Sequence, residues 1–149
     1  MTLLVPYDGS DLSTTALDRA EEFADYRDEP IVALTVVPDD EGFALERGWI
    51  DAGEDYDHET ICDRFERAVA EHAPHAEFRC ERPSESDSMT ATVIDDITRT
   101  IREVAYDVDA SIVFIGSENA GRVSTPISSV GSPISKDPEY DVHIVRHAD

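Results

Sequence analysis

The chain has 149 residues, enough for one domain with its own core and too few for two. Its 34 acidic residues outweigh 12 basic ones for a net charge of −22, which argues against nucleic acid and anionic membrane as partners, because both are held by basic patches. Such a charge usually means disorder. Here, however, it accompanies periodic apolar segments and a single lysine, Lys136, so the composition predicts a halophilic protein for which roughly 1 M salt, with a Debye length of about 3 Å, removes self-repulsion.

Met1 to Pro6 is too short and too poor in basic residues for an export leader, and no apolar run reaches membrane-spanning length. A cytoplasmic location is the expectation. Leu3-Leu4-Val5 reads as a short strand stopped by Pro6, after which Ser10 or Asp11 can cap a helix. That helix carries Ala16, Leu17, Ala20, Phe23 and Ala24 on one face and is broken by Pro30. The nearly continuous apolar run Ile31 to Val37 predicts a central strand.

Residues 38–59 read as a long acidic connection with Gly42, Gly48, Gly53 and Trp49. Two readings stand for it: a lid or mobile segment, or a salt-solvated insertion with Trp49 folded onto the core. Ile61, Cys62, Phe65, Ala68, Val69 and His72 then trace a helical face ended by Pro74. Ala76, Phe78 and Cys80 alternate with Glu77, Arg79 and Glu81, the period of a half-exposed edge strand. Residues 83–88 form a Ser-rich acidic loop, and Val93, Ile94, Ile97, Ile101, Val104 and Ala105 make the clearest helical stripe in the chain.

Ile112-Val113-Phe114-Ile115 is a buried-type strand ending in Gly116, followed by Gly121 and then Gly131-Ser132-Pro133. A buried strand opening into a glycine-spaced loop suits phosphate, since glycine lets the backbone approach an oxyanion and donate N–H groups to it. The plainer alternative is a surface loop whose glycines only make turns. Val142-His143-Ile144-Val145 is the last strand. Five strands alternating with helices predict a doubly wound α/β sheet in one domain over residues 1–149, with any ligand at the carboxyl ends of the strands.

Other chemistry is sparse. Cys62 and Cys80 have no neighbouring cysteine and read as two small core residues, not as a zinc set. His72, His75, His143 and His147 read as structural or exposed. There is no nucleophile elbow, Gly-Lys-Thr loop or Cys-x-x-Cys pair. Asp8 is the one evident general base, and its plainer role is that of a turn or capping aspartate. Arg122 is a candidate partner for a phosphate, though a solvated or dimer-facing arginine is the more ordinary reading.

Leu3-Leu4-Val5-Pro6-Tyr7-Asp8-Gly9-Ser10, Ala33-Leu34-Thr35-Val36-Val37 and Asp109-Ala110-Ser111-Ile112-Val113-Phe114-Ile115-Gly116-Ser117 together resemble the universal stress protein family over nearly the whole chain. Gly121 with Gly131-Ser132 is similar to part of that family's nucleotide motif, G-x2-G-x9-G-[ST]. The resemblance implies a five-stranded parallel sheet in order 3-2-1-4-5 with helices on both faces. It also implies a homodimer paired through the last strand (Val142, Ile144) and an adenine nucleotide, ATP, ADP or AMP, accompanied by Mg. Carried over, Pro6 shapes the base pocket, Asp8 meets the ribose or supports the metal, and the Val36 backbone reads the adenine edge. Gly116 lies against the ribose, and Gly121, Gly131 and Ser132 cradle the phosphates.

Two departures bear on that grip. Asn119 stands where the family has its second glycine, which makes the loop about two residues longer, and Pro138 shortens the helix expected after Ser132. A short helix offers N–H donors but a weaker dipole. Three readings follow: a nucleotide-binding stress-response protein that is not an enzyme, a ligand-free interaction module of the same fold, and a slow metal-dependent ATP hydrolase.

Overall fold

The structure, a computed structural model, describes residues 1–83, 92–117 and 140–148. The elements in order are β1 (Thr2–Pro6), α1 (Asp11–Arg27), β2 (Ile31–Val36), α2 (Glu41–Glu46), α3 (His58–His72), β3 (Glu77–Glu81), α4 (Val93–Asp107), β4 (Ala110–Gly116) and β5 (Asp141–Val145). The strands form one sheet in the order β3-β2-β1-β4-β5, and every pairing is parallel. The parallel α/β sheet is what the alternation of strands and helices predicts, and the strand order is the one the family resemblance implies.

Alternation along the strands sorts the core into two layers. Leu3, Val5, Ile112 and Phe114 pack against α1 and α3, whereas Leu4, Val32, Leu34, Val113 and Ile115 pack against α4. All seven residues of β4 are buried, as a strand covered on both faces requires. β3 lies at the sheet edge, as its period of two predicts. Phe78 and Cys80 face the α3 layer, and Arg79 reaches across the other face to Asp107 of α4 at 2.8 Å.

The helix ends follow local chemistry. Ser10 caps α1, its side chain accepting from the Ser13 N–H at 3.2 Å. α1 stops before Pro30 through Asp28 in the left-handed region (φ 54°), whose N–H donates to the Ala24 carbonyl. α4 opens with a reciprocal capping box between Thr92 and Asp95.

Two expectations need correction. The 38–59 connection is not all loop, because Asp40 caps the short helix α2 by accepting from the Phe43 N–H at 3.0 Å. Cys62 and Cys80 are not independent core residues: they form a disulfide joining α3 to β3, with Cα atoms 6.0 Å apart and a sequence separation of 18. Their separation conceals that α3 runs back along β3, so the chain between them closes on itself. In the chain-entropy account, closing a loop of this size stabilises the fold by about 3 kcal/mol.

His72, His75 and His147 are exposed and His143 is half-buried, in keeping with the structural or exposed roles expected of these four. His143 stacks on Phe114 (5.0 Å between centroids) and meets the edge of Phe23. Burial pulls its pKa below the usual range, with Arg19 adding to the effect.

Candidate functional site

The chain leaves β1 at Pro6 and turns through Tyr7-Asp8-Gly9-Ser10 into α1. The Tyr7 N–H donates to the Leu34 carbonyl (2.7 Å), and the Thr35 hydroxyl donates to the Tyr7 carbonyl (2.8 Å). Asp8 Oδ1 accepts from the Ser10 N–H at 2.9 Å, an Asx turn that sets the helix start. The turn role foreseen for Asp8 therefore coexists with a place at the ligand end of the sheet. Gly9 has φ +82°, a conformation that strains any residue with a side chain, and a Cβ there would crowd the Phe65 ring at 3.2 Å.

These turns open a cleft at the carboxyl ends of β1, β2 and β4. Pro6, Asp8, Val36 and Gly116 all line it, so the structure brings together four of the seven residues carried over from the family resemblance. Gly121, Gly131 and Ser132 lie outside the described residues, as do Arg122 and the helix expected after Ser132. Val36 is presented by its backbone. Leu34 faces β1 with its carbonyl and Val37 faces β3 with its N–H, which bonds the Glu81 carbonyl. By the alternation of a strand, Val36 directs its N–H and C=O toward β1, where the β1 chain has already turned away.

Gly116 has a packing role as well. A Cβ there would lie 2.9 Å from Leu12 Cβ, the root of a side chain in the first turn of α1. Gly116→Ala is expected to lower stability by about 1–3 kcal/mol through overpacking, read as a lower urea midpoint with an unchanged slope.

One wall was not legible in the sequence. Ile94, Ile97, Thr98 and Ile101 of α4 line the cleft on one side, and Phe43, Arg47 and Trp49 line it on the other. The Trp49 indole N–H donates to the Asp8 carbonyl at 3.2 Å. Its ring meets Phe43 and Phe65 edge-on, at 5.4 and 5.3 Å. Arg47 lies over the Phe43 ring (4.6 Å), with Nη1 3.9 Å from Asp8 Oδ2. Among the described residues it is the one cationic side chain lining the cleft. The acidic connection therefore covers the site end of the molecule, and Trp49 both packs on the core and touches the site. A lone tryptophan and an arginine amid acidic residues were the available signals.

That connection is fastened on both sides of Trp49. Arg64 donates to the Trp49 carbonyl at 3.0 Å and pairs with Glu54. The Tyr56 hydroxyl donates to the Pro38 carbonyl (2.7 Å) and to Asp39 (3.2 Å). Burial first, and then the bond to the Asp39 carboxylate, push the Tyr56 pKa from 10.0 up to about 12. A raised folded-state pKa gives stability that is complete below pH 10 and lost as the pH rises toward 12. The wild type is therefore expected to lose melting temperature above pH 10 faster than Tyr56→Phe.

A model of the universal stress protein family matches residues 1–146. The chain belongs to that family. No curated protein sequence matches it. Among solved structures, a universal stress protein in complex with cAMP is 21% identical, with 100% of this chain and 98% of that one covered (TM-score 0.52). A family member from Burkholderia pseudomallei is 18% identical, with 98% and 96% covered (TM-score 0.57). The universal stress protein from Archaeoglobus fulgidus in complex with dAMP is 17% identical, with 97% and 96% covered (TM-score 0.55). At these identities the likeness is one of fold, and it agrees with the strand order seen here. No helix among the described residues of this universal stress protein is long and apolar enough to cross a membrane.

Proposed function

We propose that this universal stress protein is a regulatory module whose cleft takes up an adenine nucleotide. The observation that carries the reading is the Val36 backbone edge, directed into a cleft with apolar walls and with Asp8 at its mouth. A strand edge offering one donor and one acceptor suits the hydrogen-bonding edge of a purine, and apolar walls suit its faces. Two proteins of the same fold are described in complex with cAMP and dAMP, which supports the class of ligand.

In this reading the base lies between the α4 side chains and Trp49, the ribose passes Gly116, and the phosphates run toward Gly121, Gly131 and Ser132. Asp8 Oδ1 is held by the Ser10 N–H, whereas Oδ2 lies 3.9 Å from Arg47, beyond hydrogen-bond range. One carboxylate oxygen together with nucleotide phosphates is a usual Mg2+ set. Asp8 would hold that ion, which would neutralise phosphate charge. The role proposed is binding, not turnover.

The homodimer belongs to the same proposal. β5 is an edge of the sheet as described, and Ile144 is 38% exposed on it, so a second copy would cover an apolar side chain on an open strand. Ile144→Glu is expected to convert a two-chain mass into a one-chain mass by equilibrium sedimentation in molar KCl. A wild-type monomer would remove the dimer.

Nucleotide retention tests the central claim. Protein purified in molar KCl with magnesium, then denatured, is expected to release ATP, ADP or AMP near one per chain on anion exchange. Ser132→Ala and Asp8→Asn should reduce that yield. An empty trace, with no heat on titration with any of the three, would leave the ligand-free interaction module as the reading of this fold.

A further inference from the structure

A second cluster of chemically competent side chains lies away from the cleft. His58 and Cys62 stand one turn apart on the same face of α3. Cys80 faces them from β3, and all three are half-buried. His58 Nδ1 lies 3.5 Å from Cys62 Sγ, and the three donor atoms fall within 4.8 Å of one another.

We propose that these residues form a redox-gated metal site: oxidised, Cys62 and Cys80 are a disulfide; reduced, the two thiolates and the His58 imidazole bind a thiophilic divalent ion of the zinc class. Zinc bonds sulfur at about 2.3 Å and imidazole nitrogen at about 2.0–2.1 Å in a tetrahedron, which holds its donors roughly 3.3–3.8 Å apart. The His58–Cys62 spacing already satisfies this; the two sulfurs must separate, and Cys80 and His58, within 4.8 Å of each other, must settle to the same spacing. Two thiolates and an imidazole are a donor set for which zinc competes well, and hard cations such as Mg2+ do not. Three protein donors leave the fourth position to water.

The chemistry balances with a dithiol reductant. One thiolate of the reductant attacks a sulfur of the disulfide and the second resolves the mixed disulfide. Cys62 and Cys80 leave as two thiols, and the reductant becomes its own disulfide. Metal binding then displaces two protons, one from each thiol. Half-burial leaves the pair within reach of a small reductant while limiting competition from bulk water.

Cobalt titration tests the site, because Co2+ reports its ligands optically and stands in for zinc. Full-length protein is reduced in molar KCl, freed of reductant anaerobically and titrated with Co2+. One equivalent should bind with a thiolate-to-cobalt band and the visible bands of four-coordinate cobalt, and Zn2+ should abolish both. The bands should be absent from oxidised protein and from Cys62→Ser/Cys80→Ser, while His58→Ala should weaken binding by about tenfold or more. Far-UV circular dichroism on the same samples separates loss of ligands from loss of fold. The proposal is overturned if reduced, folded protein gives no thiolate band, or if His58→Ala binds cobalt as tightly as wild type. It is equally overturned if reduction unfolds the chain and metal does not restore the helical signal.

Discussion

Transfer from molar KCl to dilute buffer is expected to unfold this protein. The chain carries 34 carboxylate side chains against 12 basic ones, and six of its arginines are already paired. Arg27, Arg47, Arg64, Arg79, Arg82 and Arg99 each have an acidic partner within 4.0 Å. Exposed pairs of this kind contribute at most about 1 kcal/mol each, and they leave most of the carboxylates uncompensated. At about 0.01 M salt the Debye length is near 30 Å, so these charges repel across the whole domain; near 1 M it is about 3 Å and they do not. Repulsion on this scale competes with a net stability of only about 5–15 kcal/mol. Far-UV circular dichroism across a KCl series should show helical signal lost below molar salt. A sharp melt retained in dilute buffer would refute the halophilic reading.

Trp49→Ala is expected to have the largest effect of any single change at the cleft. The indole fills the space between Phe43 and Phe65 and donates to the Asp8 carbonyl. Truncating a large aromatic costs about 3–5 kcal/mol when it is fully buried. Trp49 is half-buried, so about 3 kcal/mol is expected in a urea titration, including the unmade hydrogen bond. Loss of nucleotide affinity, on the reading proposed above, should exceed tenfold, because one wall of the cleft and the anchor of the Asp8 turn disappear together. Trp49→Phe separates the two contributions, since it keeps ring packing and removes only the donor. It should recover most of the stability and less of the binding.

What was legible in the sequence was periodicity. The stripe on α4 and the alternation in β3 each announce one buried face, and the fully apolar β4 announces two. Three family-like segments carried Pro6, Asp8, Val36 and Gly116 to one end of the sheet, where the structure has them. What was not legible depends on closure through space. Trp49 meets Asp8 across 41 residues, and no local pattern in an acidic, glycine-spaced connection states which strand end it will cover. The Cys62–Cys80 bond is hidden similarly, because its partners belong to elements of different period. The α4 wall was legible as a core stripe and not as a binding surface, since Ile94 and Ile97 look alike in either role.

Trp49 is the only tryptophan in the chain, and its indole stands in the cleft against the Asp8 turn. The molecule thus carries its own optical gauge. Selectively excited emission comes from one ring at one place, with no background from a second. Arrival of a ligand, lifting of the 43–49 segment or a break in the indole–carbonyl bond should each change its intensity, wavelength or access to a quencher. The occupancy of the site can be followed on unlabelled protein at any salt concentration at which it is folded.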